Sequence, residues 1–280
     1  MESKKKLTLI SQCLKRIKRN PRLFMDIMKT IPAMYSASEY TKTYKDQSVA
    51  QNSNKEEGIE NPLFEYFENN TEGNGIWKWE HYFDVYHRYF QRFIGKPVNI
   101  LEIGIYSGGS LNMWRTYFGD ESHVYGVDIE QSCMSYQSDS VTVLIGDQED
   151  REFWRDCKKK LGNINIIIDD GGHTPEQQQA TLEEMLPYLS PGGVYLCEDI
   201  HGCSNRFSAY AVSLVRELNQ MNIISNSPVQ SKVSEFQSLY SIHFYPFLLV
   251  IEKHHTPLNV LSAPKYGTKW QPFFDATHPS

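Results

Sequence analysis

Short apolar runs alternate with amphipathic segments through the middle of this chain, from residue 98 to residue 222. Most of the segments between these runs carry apolar side chains at helical spacing. One of them opens with Thr174 and Pro175, which suit a helix N-cap and a first turn. Strands that alternate with helices predict a parallel, doubly wound α/β sheet. The runs that we interpret as its five strands are residues 98–104, 123–129, 141–147, 164–169 and 192–199.

The pattern changes in "SLYSIHFYPFLLVIEK", residues 238–253. Two apolar runs meet there at Tyr245 and Pro246, and no helix fits between them. Strands joined so closely reverse direction, so we predict an antiparallel hairpin. The expected fold is a Rossmann-like, doubly wound, seven-stranded sheet with an antiparallel last strand.

The chain before the first strand contains an aromatic segment and a polar one. "IWKWEHYFDVYHRYFQRF", residues 76–93, repeats aromatic residues at helical spacing and predicts an amphipathic helix on the sheet or over a site. Residues 37–75 are polar and weakly periodic, which predicts a loop or linker. We therefore expect four parts: a basic N-terminal helical extension and linker (1–60), a helical cap (61–96), the core (97–253) and a C-terminal tail (254–280).

Charge is spread unevenly along the 280 residues. The net charge of −6 argues against a nucleic-acid binder. Residues 1–36 nevertheless hold nine Lys and Arg against two acidic residues. This basic segment fits either weak contact with an anionic membrane surface or a solvated helix packed on a partner subunit, and the second role is the more common. We expect a homo-oligomer.

The five cysteines are scattered and show no C-x-x-C spacing. They indicate neither a disulfide framework nor a zinc site, so reduced thiols in the cytoplasm are expected. No apolar stretch resembles a signal peptide or is long enough to span a membrane.

Glycines and acidic residues follow the first three strands. "LEIGIYSGGS", residues 101–110, has the spacing G-x-x-x-G-G, which departs from the dinucleotide fingerprint and weakens an NAD hypothesis. Asp128 ends the second strand, where it could accept hydrogen bonds from ribose hydroxyls, and Asp147 ends the third. Each aspartate either caps a turn or faces a ligand, and carboxylates at successive strand ends favour the ligand. The predicted cofactor-binding residues are Glu102, Gly104, Ser107, Gly108, Ser110, Asp128, Asp147, Gln148 and Asp169.

Two further acidic clusters follow the fourth and fifth strands, in "IIIDDGGHTPEQQ" (166–178) and "CEDIHG" (197–202). Adjacent strands lie about 4.8 Å apart, so both clusters should emerge together. Crowded carboxylates need a cation or raised pKa values, and an all-oxygen set favours Mg²⁺, Mn²⁺ or Ca²⁺ over zinc. Glu198 and Asp199 can share a metal only if the chain leaves the strand between them, because side chains alternate.

A histidine completes this region. Gly171 and Gly172 let His173 fold back toward the site, where a neutral imidazole could take a proton from a hydroxyl. The alternative is that Asp170 and His173 form a turn and a helix cap while the other acids are solvated. Two independent acidic clusters at neighbouring strand ends favour a metal site.

The motifs "LEIGIYSGGSLNMW", "GVDI", "GDQED", "IDDGGH" and "LSPGGVYLCED" resemble those of metal-dependent S-adenosylmethionine (SAM) methyltransferases. This family includes macrolide-sugar O-methyltransferases and cephalosporin hydroxylase-like proteins, and the resemblance covers residues 76–253. It implies the class I methyltransferase fold, with SAM and Mg²⁺ as cofactors. It also implies roles for single residues: Asp170, Glu198 and Asp199 as metal ligands, His173 as the base, Asp128 on the SAM ribose, and Gly104 and Gly108 in the glycine turn.

The resemblance implies Mg²⁺-dependent methyl transfer to a hydroxyl of a small molecule, with a sugar in a glycan or natural product as the expected acceptor. An alternative is a non-catalytic SAM-binding subunit of a hydroxylase-type complex. A third hypothesis, an NAD-dependent dehydrogenase, is disfavoured by the glycine spacing and the terminal hairpin. The macrolide-sugar enzymes carry a larger N-terminal domain, so their oligomeric arrangement does not transfer to this chain.

Overall fold

The computed structural model describes residues 15, 17–44, 60–202, 205–218, 238–256 and 266. The chain divides into two compact units, residues 1–58 and 59–280. In the first unit, helix α1 (Pro21–Thr43) continues through residues 37–43, where a loop was predicted. Most of the basic residues before it, the polar stretch 46–58 and nearly all of the C-terminal tail lie outside the described residues.

The second unit contains a seven-stranded sheet with the order β3-β2-β1-β4-β5-β7-β6. The first five strands pair in parallel, and β7 pairs antiparallel with both β5 and β6. The predicted fold, including the terminal hairpin, is therefore confirmed. The strands are β1 (Val98–Ile103), β2 (Ser122–Asp128), β3 (Val141–Ile145), β4 (Ile164–Asp169), β5 (Leu189–Cys197), β6 (Leu239–Tyr245) and β7 (Leu248–Lys253).

Helices cover both faces of this sheet because successive strand residues point to opposite sides. Ile166 belongs to one hydrophobic cluster, and the next residue, Ile167, belongs to the other. The helices of this unit are α2 (Pro62–Asn69), α3 (Tyr82–Phe90), α4 (Gly109–Phe118), α5 (Arg151–Cys157), α6 (Pro175–Met185) and α7 (Arg206–Leu218). The first cluster includes residues of α2, α3 and α4, and the second includes residues of α5, α6 and α7.

Helix α2 lies inside the segment that was predicted to be a linker. The Asn61 side chain caps it by accepting hydrogen bonds from the N–H groups of Leu63 and Phe64. Leu63 is fully buried, and Phe64 stacks edge-on against Phe83 with ring centroids 5.6 Å apart. Apolar side chains on one face stabilise this short helix within the otherwise polar segment 37–75.

The aromatic helix is shorter than predicted. It spans Tyr82–Phe90, followed by a 3₁₀ turn at Gln91–Phe93, whereas residues 76–79 form no helix. Exposure alternates along that segment, since Trp77 is 87 % exposed and Lys78 only 9 %. Lys78 makes buried contacts with Asp170 and Glu198 from this non-helical segment. Aromatic periodicity alone does not reveal these contacts.

Helix α6 begins as predicted. Thr174 accepts a hydrogen bond from the backbone of Gln177, whose side chain accepts one from the backbone of Thr174, which is a capping box. Among the described cysteines, Cys133, Cys157 and Cys197 are buried free thiols. None of the helices that the structure describes combines the length and apolar character needed to cross a bilayer.

Candidate active site

A cavity of about 710 Å³ opens at the carboxyl ends of the parallel strands. Its size lies within the range of roughly 300–1,000 Å³ typical of small-molecule sites. Ligands of open α/β sheets bind at these strand ends. The predicted site residues that line the cavity are Gly104, Ser107, Ser110, Asp128, Asp147, Gln148, Asp170, His173, Glu198 and Asp199.

Three predicted cofactor-binding residues do not line the cavity. Asp169 is 1 % exposed and accepts hydrogen bonds from Gln148 Nε2 at 3.0 Å and Tyr195 O–H at 3.2 Å. Glu102 is fully buried beneath the site, and Gly108 forms the left-handed N-cap of α4 against the ring of Tyr136. Their direct contact with a cofactor stays a prediction, and in the structure all three are buried residues outside the cavity lining.

The burial of Asp169 affects its ionisation. Desolvation raises its pKa to about 7, because the hydrogen bonds from Gln148 and Tyr195 only partly compensate for the lost water. Asp169 is the last residue of β4, whereas Asp170 follows the strand and lines the cavity.

Asp128 and Asp147 both cap turns and line the cavity. The two oxygens of Asp128 accept hydrogen bonds from the backbone N–H groups of Tyr106 at 2.9 Å and Glu130 at 3.0 Å. Asp147 accepts one from the N–H of Glu149 at 2.8 Å. A carboxylate oxygen has a second lone pair, so each group can also accept a hydrogen bond from a ligand. The two interpretations of these residues are therefore compatible.

The turn after β1 makes a close backbone contact with the turn after β4. Gly104 has a φ of +84°, and a Cβ there would lie 2.0 Å from the carbonyl oxygen of Asp170. Only glycine permits both this conformation and this approach. The glycine turn thus places Asp170 beside the cavity.

Asp170, His173 and Asp199 form a compact cluster in which one possible ligand atom from each lies within 4.8 Å of the others. His173 Nε2 is 3.5 Å from Asp199 Oδ2 and 4.0 Å from Asp170 Oδ1. His173 and Asp199 have φ values of 57° and 56°, an uncommon conformation that redirects the chain at both turns. Strand β5 ends at Cys197, and both Glu198 and Asp199 reach the cavity.

The side chain of Lys78 lies in this acidic region, and sequence analysis did not predict Lys78 as a site residue. Its Nζ lies 2.7 Å from Asp170 Oδ2, 3.0 Å from Glu198 Oε1 and 3.5 Å from Glu102 Oε1, and 3 % of its side chain is exposed. Burial alone would lower the pKa of Lys78, but the three carboxylates hold it well above its usual value. The ammonium is therefore charged and enclosed.

Aromatic donors fix the two acids that follow β5. Tyr86 O–H donates to Glu198 Oε1 at 2.6 Å. Trp79 Nε1–H and Tyr82 O–H donate to Asp199 Oδ1 at 2.9 and 3.0 Å. Burial still raises the pKa of Glu198 well above its usual range, despite Lys78 and Tyr86. The aromatic segment before the sheet therefore packs in the core and also positions the acidic residues.

The arrangement fits a divalent cation. Asp170 and Asp199 offer hard oxygen ligands on one wall of the cavity, beside an imidazole whose buried Nδ1 has no hydrogen-bond partner among the described residues. Three carboxylates, those of Glu102, Asp170 and Glu198, lie within 3.5 Å of the Lys78 ammonium, and the carboxylate of Asp199 lies beside His173. The excess negative charge favours a further cation.

Comparison with known proteins agrees with this geometry. Residues 101–200 match the family model Methyltransf_24, described as a methyltransferase domain. The chain is 30 % identical over 200 residues to the 8-demethyl-8-(2-methoxy-alpha-L-rhamnosyl)-tetracenomycin-C 3'-O-methyltransferase of Streptomyces olivaceus, covering 64 % of this chain and 50 % of that protein. It is 27 % identical over 189 residues to the mycinamicin VI 2''-O-methyltransferase of Micromonospora griseorubida, covering 60 % and 47 %.

Among solved structures, the chain resembles the MycE methyltransferase of the mycinamycin biosynthetic pathway in complex with Mg and SAH. The TM-score is 0.56 at 25 % identity, covering 69 % of this chain and 53 % of that one. The chain spans about half the length of the curated relatives named above. The residues matched by the family model, 101–200, include strands β2 to β5.

Proposed function

Because residues 101–200 carry a methyltransferase domain, we propose that the chain transfers a methyl group from SAM to a hydroxyl of a small molecule, assisted by Mg²⁺. One observation carries the proposal. The ligand atoms of Asp170, His173 and Asp199 converge within 4.8 Å on the wall of a cavity that Asp128 also lines. A cofactor and a metal-bound acceptor therefore have room side by side.

SAM would occupy the part of the cavity formed by the ends of β1, β2 and β3. Asp128 retains acceptor capacity for ribose hydroxyls, and Ser107 and Ser110 lie on the same wall. SAM supplies an electrophilic methyl group: its C–S bond breaks as the acceptor oxygen bonds to the methyl carbon, which leaves S-adenosylhomocysteine.

The acidic cluster would hold the metal through Asp170 and Asp199. Bound Mg²⁺ supplies Lewis acidity, which lowers the pKa of a coordinated hydroxyl and orients it. Lys78 and Tyr86 hold Glu198 in place, and Trp79 and Tyr82 do the same for Asp199. These fixed side chains reduce the reorganisation needed when the acceptor binds.

His173 is the proposed general base. Its side chain is 37 % exposed at the cavity wall, and Nε2 lies near both Asp170 and Asp199. An imidazole at this position can take the hydroxyl proton while the oxygen attacks the methyl carbon. The adjacent carboxylates stabilise the imidazolium that results.

The proposed acceptor is a sugar hydroxyl of a glycosylated natural product. By their names, one of the relatives is a 3'-O-methyltransferase of a rhamnosyl tetracenomycin and the other is a 2''-O-methyltransferase of mycinamicin VI. Exposed aromatic side chains at this cavity support an acceptor with an apolar face, since Trp77 is 87 % and Tyr106 74 % exposed while both line the cavity.

The direct test is transfer of labelled methyl from SAM to rhamnosylated polyketides, with Mg²⁺ and with excess EDTA. We expect a singly methylated sugar in the presence of Mg²⁺ and at least about 100-fold less product with EDTA. SAM binding without transfer to any sugar acceptor would instead favour a non-catalytic subunit of a hydroxylase-type complex.

A further inference from the structure

Lys78 divides the acidic cluster into an inner and an outer half. The inner half contains Glu102, Glu198 and Oδ2 of Asp170, all within 3.5 Å of the Lys78 ammonium. The outer half contains Asp170 Oδ1 and Asp199, both close to the His173 imidazole. Asp170 therefore faces a different cation-binding position with each of its oxygens.

Glu198 belongs to the inner half through both of its oxygens. Lys78 Nζ donates to Oε1 at 3.0 Å and to Oε2 at 3.2 Å, and Tyr86 O–H donates to Oε1 at 2.6 Å. The Glu198 side chain is 1 % exposed. Its hydrogen-bonding capacity is thus largely used within the protein.

The segment that carries Lys78 is anchored on both sides. On one side, the backbone of Asn74 and Gly75 packs so closely on α4 that a Cβ on Gly109 would lie 2.5 and 2.4 Å from their carbonyl oxygens. On the other side, Trp79 donates to Asp199, and a ring nitrogen of His81 lies 3.0 Å from the carbonyl oxygen of Pro246. These contacts hold the backbone of the segment in place beside the cluster.

We propose that Lys78 is the resident cation of the inner half, so that a divalent ion binds only in the outer half, through Asp170 and Asp199 beside His173. Glu198 then stabilises Lys78 and is not a ligand of the ion. Lys78 donates to both oxygens of Glu198 and Tyr86 donates to Oε1, which leaves Glu198 little capacity for an ion, whereas Asp170 keeps Oδ1 on the outer side. This inference rests on the proposed function, and it changes the metal ligands that the family resemblance implied.

The test measures the affinity for Mn²⁺, by calorimetry and by the electron paramagnetic resonance signal of the Mn²⁺ that stays free. The decisive variant combines Lys78→Met with Glu198→Gln, which removes both charges of the inner pair and keeps side chains of similar size. The matched comparison is Asp199→Asn. The proposal predicts that the double variant binds Mn²⁺ within about tenfold of wild type, whereas Asp199→Asn loses about 100-fold. Equal losses in the two variants would overturn it.

A crystal of the wild type soaked in Mn²⁺ gives an answer that does not depend on how well a variant folds. The anomalous peak should lie against Asp170 and Asp199, with Lys78 still bonded to Glu198. A peak bonded to Glu198 would overturn the inference alone. Absence of Mn²⁺ binding would overturn both the inference and the proposed metal dependence, whereas Mn²⁺ binding without methyl transfer would count only against the proposed reaction.

Discussion

Gln148 Oε1 accepts a hydrogen bond of 2.6 Å from the backbone N–H of Gly172, so a residue after β3 fixes the turn after β4. The Nε2 of the same side chain donates to Asp169 Oδ1 at 3.0 Å and to Thr181 Oγ1 at 3.1 Å. Gln148 is 6 % exposed, so water does not readily replace these partners. One amide therefore connects the turn that carries His173 to the buried layer beneath it.

Replacing Gln148 by Ala should reduce the free energy of unfolding by about 1–3 kcal/mol, because buried partners lose their hydrogen bonds. Gln179→Ala is the matched control, since Gln179 is partly buried on α6 and its side chain donates to Glu183 at 2.7 Å. The control should change stability by less than about 0.5 kcal/mol. Urea unfolding measures the free energy of unfolding of both variants. Equal losses in the two would show that the hydrogen bonds of Gln148 do not contribute specially to stability.

Gly104→Ala and Gly119→Ala together separate steric clash from backbone strain. Both glycines have positive φ, but a Cβ at Gly104 would meet the Asp170 carbonyl oxygen at 2.0 Å, whereas nothing lies within 4 Å at Gly119. Gly119→Ala should cost about 1–2 kcal/mol from strain alone. Gly104→Ala should cost clearly more and weaken Mn²⁺ binding, because the turn carrying Asp170 must move. Similar free energies of unfolding for the two variants would contradict a close contact between Gly104 and the Asp170 carbonyl.

His173→Ala should lower kcat by about 100-fold or more while SAM affinity changes little, because the proposed base would be absent. His201→Ala provides the control, since His201 Nε2 also lies near Asp199, at 3.4 Å, and its side chain is 53 % exposed. We expect a much smaller effect from the control. Full activity of His173→Ala in steady-state assays would refute the assignment of the base.

The ion pair between Arg92 and Glu252 should make the free energy of unfolding depend on pH in the acidic range. Partial burial alone would raise the pKa of Glu252, but hydrogen bonds from Arg92 and Ser241 outweigh it and lower the pKa. A lowered pKa means that the contribution is present above the unfolded pKa of about 4.3 and is lost as the pH falls through the folded value.

Glu252→Gln should therefore destabilise the protein at neutral pH, and the difference from wild type should shrink below about pH 4.5. Arg92 is 39 % exposed, so solvent screening limits the effect to about 1 kcal/mol or less. Glu152→Gln, which alters an exposed pair with Arg155, is the control. A wild-type advantage that stays constant from pH 7 to pH 3.5 in unfolding experiments would rule out this ion pair as the cause.

The sequence predicted the sheet well because its evidence is local. Short apolar runs and the Thr174 capping signal specify strands and helix starts without distant partners. The close joining of β6 and β7 at Pro246 likewise required a hairpin whatever the rest of the chain does.

The candidate site was only partly predictable, because its remaining features depend on distant contacts. Lys78 pairs with residues 92 and 120 positions further along the chain, and nothing near it distinguishes it from a surface lysine. Whether Asp169 or Asp170 faces the cavity depends on where β4 ends, and apolar patterning does not specify a strand end to one residue. Aromatic spacing predicted a helix from residue 76, but the helix begins at Tyr82, and residues 76–79, which include the buried Lys78, form no helix.

The most direct test of the proposed methyltransferase function is calorimetric titration of SAM into the wild type and into Asp128→Ala. We predict one SAM per chain for the wild type and an affinity at least about 10-fold lower for the variant, because a charged hydrogen-bond acceptor for the ribose is removed. Unchanged thermal unfolding of the variant would show that the loss is local. No binding of SAM to the wild type would contradict the proposal that this cavity belongs to a methyltransferase.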